Sequence, residues 1–221
     1  MLDNRLKMIY DLMPGGVLCD IGTDHCKLAC FAVEYGKCNS AIATDLRRGP
    51  LAAAKRLVTQ KGLSDKVKLV LSNGFLDIDS DDFERADCFV IAGMGGELIE
   101  TILKGRHTEK PLILQPMSAE WELSLFLQQN GYRIEKRTFV CDGDKIYTAF
   151  LTRFDGKARI AHPFCACEKN DAFYKYIDRE IKKCQTAIEG LNRSQNPDTK
   201  RLLAAQDKLA ILLKEKNDES F

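Results

Sequence analysis

With 221 residues, 45% of them hydrophobic and 29% charged, the chain is long enough for one full core and has the balance of a soluble globular protein. No run of eighteen apolar residues occurs, and the opening MLDNRLKMIYDLMPGG carries an early acid and no long apolar stretch. Neither a membrane span nor a signal peptide is therefore expected, and the cytoplasm is the expected location. Net charge is +1, divided as 13 Lys/Arg against 10 Asp/Glu in residues 157–221 (+3) and 20 against 22 in the remainder (−2), which permits a nucleic-acid partner without demanding one.

Nine cysteines, no C-x-x-C pair and three histidines give no disulfide framework and no metal-ligand spacing. Reduced, mostly buried thiols and no metal are expected.

Up to about residue 155 short apolar runs alternate with helical patterns. GVLCDIG, SAIATDL, KVKLVLSNG, DCFVIAG and PLILQP are rich in Val and Ile and nearly continuous in hydrophobicity, as strands covered on both faces are. HCKLACFAVEYGK, GPLAAAKRLVTQKGL and GGELIETILKGR lie between them, with apolar residues at three- and four-residue spacing. The alternation predicts a parallel sheet with right-handed crossovers. After SAEWELSLFLQQNGY, the runs RIEKRTFVCDG and KIYTAFLTRF flank an Asp-Gly-Asp that predicts a hairpin. A parallel sheet ending in an antiparallel hairpin is the layout of class I methyltransferases, a Rossmann-like α/β fold, although other doubly wound folds share the pattern.

From residue 157 the character changes. GKARIAHPF predicts a linker, with Pro163 against regular structure. Tyr174, Ile177, Ile181, Cys184, Ile188 and Leu191, then Leu202, Ala205, Leu209 and Leu212, repeat at three- and four-residue steps. These predict an antiparallel helical hairpin, turning at NRSQNPDT through Asn196-Pro197. Two domains follow as an expectation, 1–156 and 157–221, the second a coiled-coil hairpin whose seam closes within one chain or between two; a monomer is expected.

Ligands of open α/β sheets bind at the carboxyl ends of the strands. Those ends carry Asp20, Gly22, Thr23, Asp24 and His25 after the first strand, Asp45 after the second, and Asn73 and Gly74 after the third. The fourth brings Gly93, Met94, Gly95 and Gly96, and the fifth Gln115 and Pro116. A carboxylate at the position of Asp45 suits the two hydroxyls of a ribose in any adenosine-type cofactor. The first loop narrows the choice. A pyrophosphate requires the G-x-G-x-x-G turn, whereas this loop has one glycine followed by Asp24, which repels phosphate. A phosphate-free, cationic cofactor with an amino-acid tail, S-adenosylmethionine, fits these acids and NAD fits poorly. Each residue also has a plainer reading. Asp24 suits the N-cap of a helix beginning near His25, Asn73-Gly74 suits a simple turn, His25 a hydrogen-bonded structural role, and GMGG a tight strand-to-helix connection.

The motifs DIGTDH, IAGMGG followed by ELI, and LILQP, in that order, together with the second-strand acid followed by GPL and the EKN that leads into the C-terminal helices, resemble the bacterial tRNA (adenine-22-N1)-methyltransferases. The resemblance spans nearly the whole chain. It implies a cofactor loop of Asp20, Gly22, Thr23, Asp24 and His25, with Asp45 on the ribose, Asn73 and Gly74 at the adenine edge and Gly93, Met94 and Gly95 beside the methionine moiety. It further implies tRNA as partner and places Arg5 near the RNA-facing mouth. Beyond the resemblance, Asp24 or His25 is expected to be catalytic, orienting the adenine or handling its proton after transfer, and Lys27, Gln115 and Pro116 are expected on the substrate side. Arg5 reads equally well as a solvated helix residue. Where the family commonly continues from DH as small-Tyr-Leu-Pro, this chain has CKLA, so Lys27 replaces an aromatic and Ala29 a proline; Asn73 stands where an acid is frequent. The alternatives are a methyltransferase of another acceptor and a non-catalytic cofactor- and tRNA-binding protein.

Overall fold

The computed structural model describes residues 2–194 and 198–218, in two compact units, Met1–Cys167 and Glu168–Phe221. The expected turn at Asn196-Pro197 lies outside the described residues.

The first unit is a seven-stranded sheet. In chain order it comprises α1 (Asn4–Leu12), β1 (Gly16–Ile21), α2 (Lys27–Glu34), β2 (Cys38–Asp45), α3 (Arg48–Gln60), β3 (Val67–Leu71), α4 (Ser80–Arg85) and β4 (Cys88–Gly95). It continues with α5 (Gly96–Gly105), β5 (Leu112–Ser118), α6 (Glu120–Gln129), β6 (Tyr132–Asp142) and β7 (Lys145–Phe154). The spatial order is β3-β2-β1-β4-β5-β7-β6. The first five strands pair in parallel, and β7 pairs antiparallel with β5 and β6. The predicted hairpin closes through Gly143-Asp144, bounded by the Asp142–Lys145 pair.

Apolar strands explain the two cores. One face of the sheet packs Leu18, Ala41, Ala43 and Val90 against Ile9, Leu28, Ala29 and Ala54 of the helices. The other packs Cys19, Ile21, Ile42, Phe89 and Ile91 against Phe75, Phe83, Ile99, Leu103 and Leu127. Order reverses between β1 and β4, and at such a switch point the two following connections diverge and open a crevice at the carboxyl edge.

Three local differences from the sequence reading have physical causes. Helix α2 begins at Lys27, not near His25, because Asp24 (φ 53°) and Cys26 (φ 58°) are left-handed; the Asp24 carboxylate makes no cap, contrary to the N-cap reading. Strand β4 runs through Met94 to Gly95, with register shifts against β5 on either side of Met94, so GMG is irregular strand rather than loop. The units divide after Cys167, not after Gly156, because residues 157–167 dock on the sheet. Arg137, fully buried among the rings of Phe139, Phe150 and Phe164, donates to the Pro163 carbonyl, and its own N–H donates to Ala166 O at 2.8 Å. Gln128 Nε2 adds a bond to His162 O at 2.8 Å.

The second unit is α7 (Asp171–Asn192) and α8 (Thr199–Asn217). Ile177, Ile181, Cys184 and Leu212 of the predicted seam are buried, and Lys208–Glu180 and Lys216–Asp178 bridge the helices at 3.2 and 2.7 Å. Tyr174 turns outward at 39% exposure, and the buried aromatics are Phe173 and Tyr176.

Candidate active site

A cavity of about 700 Å³ opens at the carboxyl edge of β1–β4, within the range of ligand sites. Its wall begins with the loop after β1. Gly22 adopts φ +70°, and a Cβ there would come 2.0 Å from Met94 Cε. Glycine is favoured by the left-handed backbone, while the flexible Met94 terminus can swing aside from a Cβ. Gly22→Ala is expected to lower stability by about 1–2 kcal/mol through the left-handed strain. A shifted urea midpoint with unchanged slope would register it, and an unshifted midpoint would contradict it.

The loop is then tied at both ends. Thr23 N–H donates to Thr44 O at 2.7 Å, and Thr23 Oγ1 donates to Asp20 Oδ2 at 2.6 Å. Burial pushes the Asp20 carboxyl up to about 6, partly offset by that hydroxyl and reinforced by the Asp45 charge. Asp45 is itself buried at the end of β2. Its Oδ1 accepts from Arg47 N–H at 2.9 Å and its Oδ2 from Asp24 N–H at 3.3 Å. A carboxylate has about four lone-pair sites, so one on each oxygen is left for a ligand hydroxyl.

Asp24 and His25 stand at the mouth, their side chains 64% and 55% exposed, with Asp24 Oδ2 3.7 Å from His25 Nε2. On the β3 side, Ser72 Oγ donates to Gly74 O at 2.9 Å and Asp77 accepts from Asn73 N–H at 3.0 Å, which fixes a turn that presents the exposed Asn73 to the cavity. Gly74, Gly93 and Met94 also line it, as do Lys27 and Arg5.

Gly95, Gln115 and Pro116 are not on the cavity wall. Gly95 sits behind it, against Ser118. Gln115 and Pro116, read from sequence as on the substrate side, are buried behind the wall, and the Gln115 side chain is engaged by Arg5 and by Gly93 N–H. The cavity also has lining that the sequence reading did not single out. Leu46, Leu98 and Met117 are 63%, 50% and 49% exposed around it, and Tyr147 of β7 reaches it 5.9 Å from the Arg5 guanidinium. Among the described residues, no group of three or more His, Cys, Asp or Glu is placed to hold a metal, and no helix is long and apolar enough to cross a membrane.

A sheet of this order and a cavity with Asp20, Asp24 and Asp45 at its first two strand ends and one glycine at the first turn define a Rossmann-like methyltransferase domain. The family model described as a methyltransferase domain matches residues 2–150. The chain is 31% identical to the tRNA (adenine(22)-N(1))-methyltransferase of Bacillus subtilis, over 96% of this chain and 95% of that one. The crystal structure of the B. subtilis m1A22 tRNA methyltransferase TrmK superposes with a TM-score of 0.86 at 28% identity, covering 98% and 99% of the two chains. TrmK of M. capricolum, in complex with S-adenosyl-homocysteine, gives 0.81 at 25% identity, with 98% of each chain covered. The chain belongs to the tRNA (adenine(22)-N(1))-methyltransferase family.

Proposed function

We propose that this protein transfers the methyl group of S-adenosylmethionine to N1 of an adenine in tRNA, at position 22. The observation that carries the reading is the buried Asp45 carboxylate, with an open lone pair on each oxygen, beside Asp20 and Asp24 in a cavity that is also lined by the cations Arg5, Lys27 and Arg47. The acids suit a ribose next to a sulfonium and an ammonium, and the cations suit the phosphates of an RNA substrate. Asp45 holds the ribose, Asn73 and Gly74 meet the adenine edge of the cofactor, and Gly22, Thr23, Gly93 and Met94 pack the methionine part, with Gly95 supporting from behind. Lys27 faces the tRNA. The α7–α8 hairpin, with Lys175, Lys182, Arg193, Lys200 and Arg201 exposed, gives a second basic surface to the same partner.

Chemistry at N1 needs no base before attack. The ring nitrogen's lone pair displaces the sulfonium methyl, the C–S electron pair stays on sulfur as a neutral thioether, and the positive charge passes to the adenine. Alignment of the two reactants therefore supplies most of the acceleration, on the order of 7–11 kcal/mol in well-oriented cases. N1 is on the Watson–Crick edge, so the base enters unpaired or flipped. Asp24 and His25, at the mouth, then orient the base and receive its charge.

The test is transfer of labelled methyl to unmodified tRNA with identification of the nucleoside. Label in 1-methyladenosine at position 22 is expected; bound cofactor with no label in any tRNA would overturn the reading. A second outcome concerns pH. The cations of the cofactor favour ionised Asp20, whose carboxyl titrates at about 6 in the free protein. Affinity is therefore expected to level off above pH 6 and to fall up to tenfold per pH unit below it, with proton release on binding. Without cofactor the sign reverses for stability. The folded protein binds more protons than the unfolded chain between pH 3.8 and about 6, so this carboxyl lowers stability as pH rises through that window. Calorimetry across pH 5–8 showing a flat affinity would remove Asp20 from the cofactor's surroundings.

A further inference from the structure

Arg5, on the cavity wall, and Gln115, behind it, are 110 residues apart in the chain and are joined by a hydrogen bond. Gln115 is fully buried, and its amide can face only one way. Oε1 accepts from Arg5 Nη1 at 2.9 Å and from Gly93 N–H at 3.2 Å, while Nε2 donates to Pro116 O at 2.6 Å. Turning the amide over would set a donor against two donors and an oxygen against an oxygen. The guanidinium is thus held by a neutral acceptor. Among the described residues it forms no ion pair, although Asp3, Asp20, Asp24 and Asp45 line the same cavity, and it also lies 5.9 Å from the ring of Tyr147. A part-buried guanidinium left without a counter-charge beside an open cavity is costly unless a ligand supplies the anion.

We infer that Gln115 is a positioning residue that holds Arg5 as an uncompensated cation for a phosphate next to the target nucleotide. The inference rests on the tRNA reading above and adds to it which side chain meets the backbone and what keeps it there. The chemistry favours phosphate over the base. Methyl transfer delivers positive charge to the adenine, so a guanidinium facing the ring would oppose the reaction, whereas one on a backbone phosphate, one of the two flanking the base, anchors the nucleotide without penalty. It also explains why the partner is glutamine. A glutamate at the same place would accept the same two hydrogen bonds, but it would lose the one donated to Pro116 O and would neutralise the cation that the phosphate needs.

The test is tRNA binding as a function of KCl, with saturating S-adenosyl-homocysteine, for wild type, Arg5→Met and Gln115→Glu, together with methyl-transfer kinetics and cofactor affinity. Each phosphate contact contributes about one unit to the slope of log affinity against log salt. Arg5→Met is expected to make the slope shallower by about one and to raise KM for tRNA about tenfold, with cofactor affinity unchanged. Gln115→Glu is expected to reproduce the shallower slope although Arg5 is still present, a result that loss of packing alone would not give. An unchanged slope in Arg5→Met overturns the phosphate role. A shallower slope in Arg5→Met with a wild-type slope in Gln115→Glu overturns the positioning role. Cofactor affinity that falls together with tRNA affinity moves Arg5 to the cofactor side and also overturns the inference. Wild-type protein that neither binds nor methylates tRNA overturns the functional reading itself, and is distinguished from these by the wild-type control.

Discussion

Asp45→Ala is expected to weaken S-adenosylmethionine binding by about two orders of magnitude and to leave the fold intact. The magnitude follows from what the carboxylate holds. Two ribose hydroxyls donating to an ionised acceptor contribute roughly 1.5–3 kcal/mol each at most, and about 3 kcal/mol together is ~10²-fold in affinity. The carboxylate is also the acceptor for the Arg47 and Asp24 N–H groups, so its removal loosens the loop that carries the mouth residues. The core is spared, because Asp45 lies at the end of β2, beyond the buried Ala41–Ala43 stretch. Asp45→Asn keeps one acceptor oxygen and should lose about tenfold. Calorimetry of both variants, with far-UV circular dichroism to confirm folding, checks the result. A dissociation constant for Asp45→Ala within threefold of wild type would place the ribose elsewhere.

The alternation of strands and helices was readable because each strand is covered on both faces and each longer helix on one. Continuous runs such as VLCDI and FVIAG and the three-four spacing of α3 and α5 are local signals. Helix α4 left no such signal, since six residues are too few to show a period. Helix α1 was anticipated only through Arg5. Arg137 was unreadable for another reason. On a strand, an arginine predicts an exposed face, and its burial depends on three phenylalanine rings and on a carbonyl of the segment 157–167, which the sequence marked as linker.

The site divides along the same line. Asp20, Gly22 and Asp45 were legible because the strand ends locate them and their chemistry has few other uses there. Leu46, Leu98, Met117 and Tyr147 were not, because an apolar residue at a mouth and one in a core have the same sequence signature; only assembly of β4, β5 and β7 exposes them. Gln115 was picked out for the substrate side and lies buried behind the cavity lining, since strand-end position alone does not say whether a side chain points along the cavity or behind it. The pairing of Gln115 with Arg5 is a long-range property of the sheet and of α1, with no local trace.

The mouth residue with the largest expected kinetic effect is Asp24. Its backbone is left-handed (φ 53°) and tied by its N–H to Asp45, and its carboxylate lies 3.7 Å from His25 Nε2. In the open mouth, 64% exposed, it would stabilise a nearby cation weakly, because water screens it. On the proposed reading, tRNA covering the cavity would displace water and leave the same carboxylate facing the charge that arrives on the adenine ring. That interaction is stronger in the transition state than in the ground state, so it acts on turnover more than on binding. Asp24→Asn is the informative substitution, because asparagine tolerates the left-handed conformation and keeps the backbone bond to Asp45, so only the charge is lost. Removal of one such preorganised group typically costs about 3 kcal/mol in the barrier, and kcat is expected to fall about 10²-fold with cofactor affinity within about twofold of wild type. Single-turnover methylation at saturating tRNA and cofactor measures the chemical step directly. Wild-type rates there would show that the adenine's charge is met by another group, and Asp24 would then serve the cofactor loop alone.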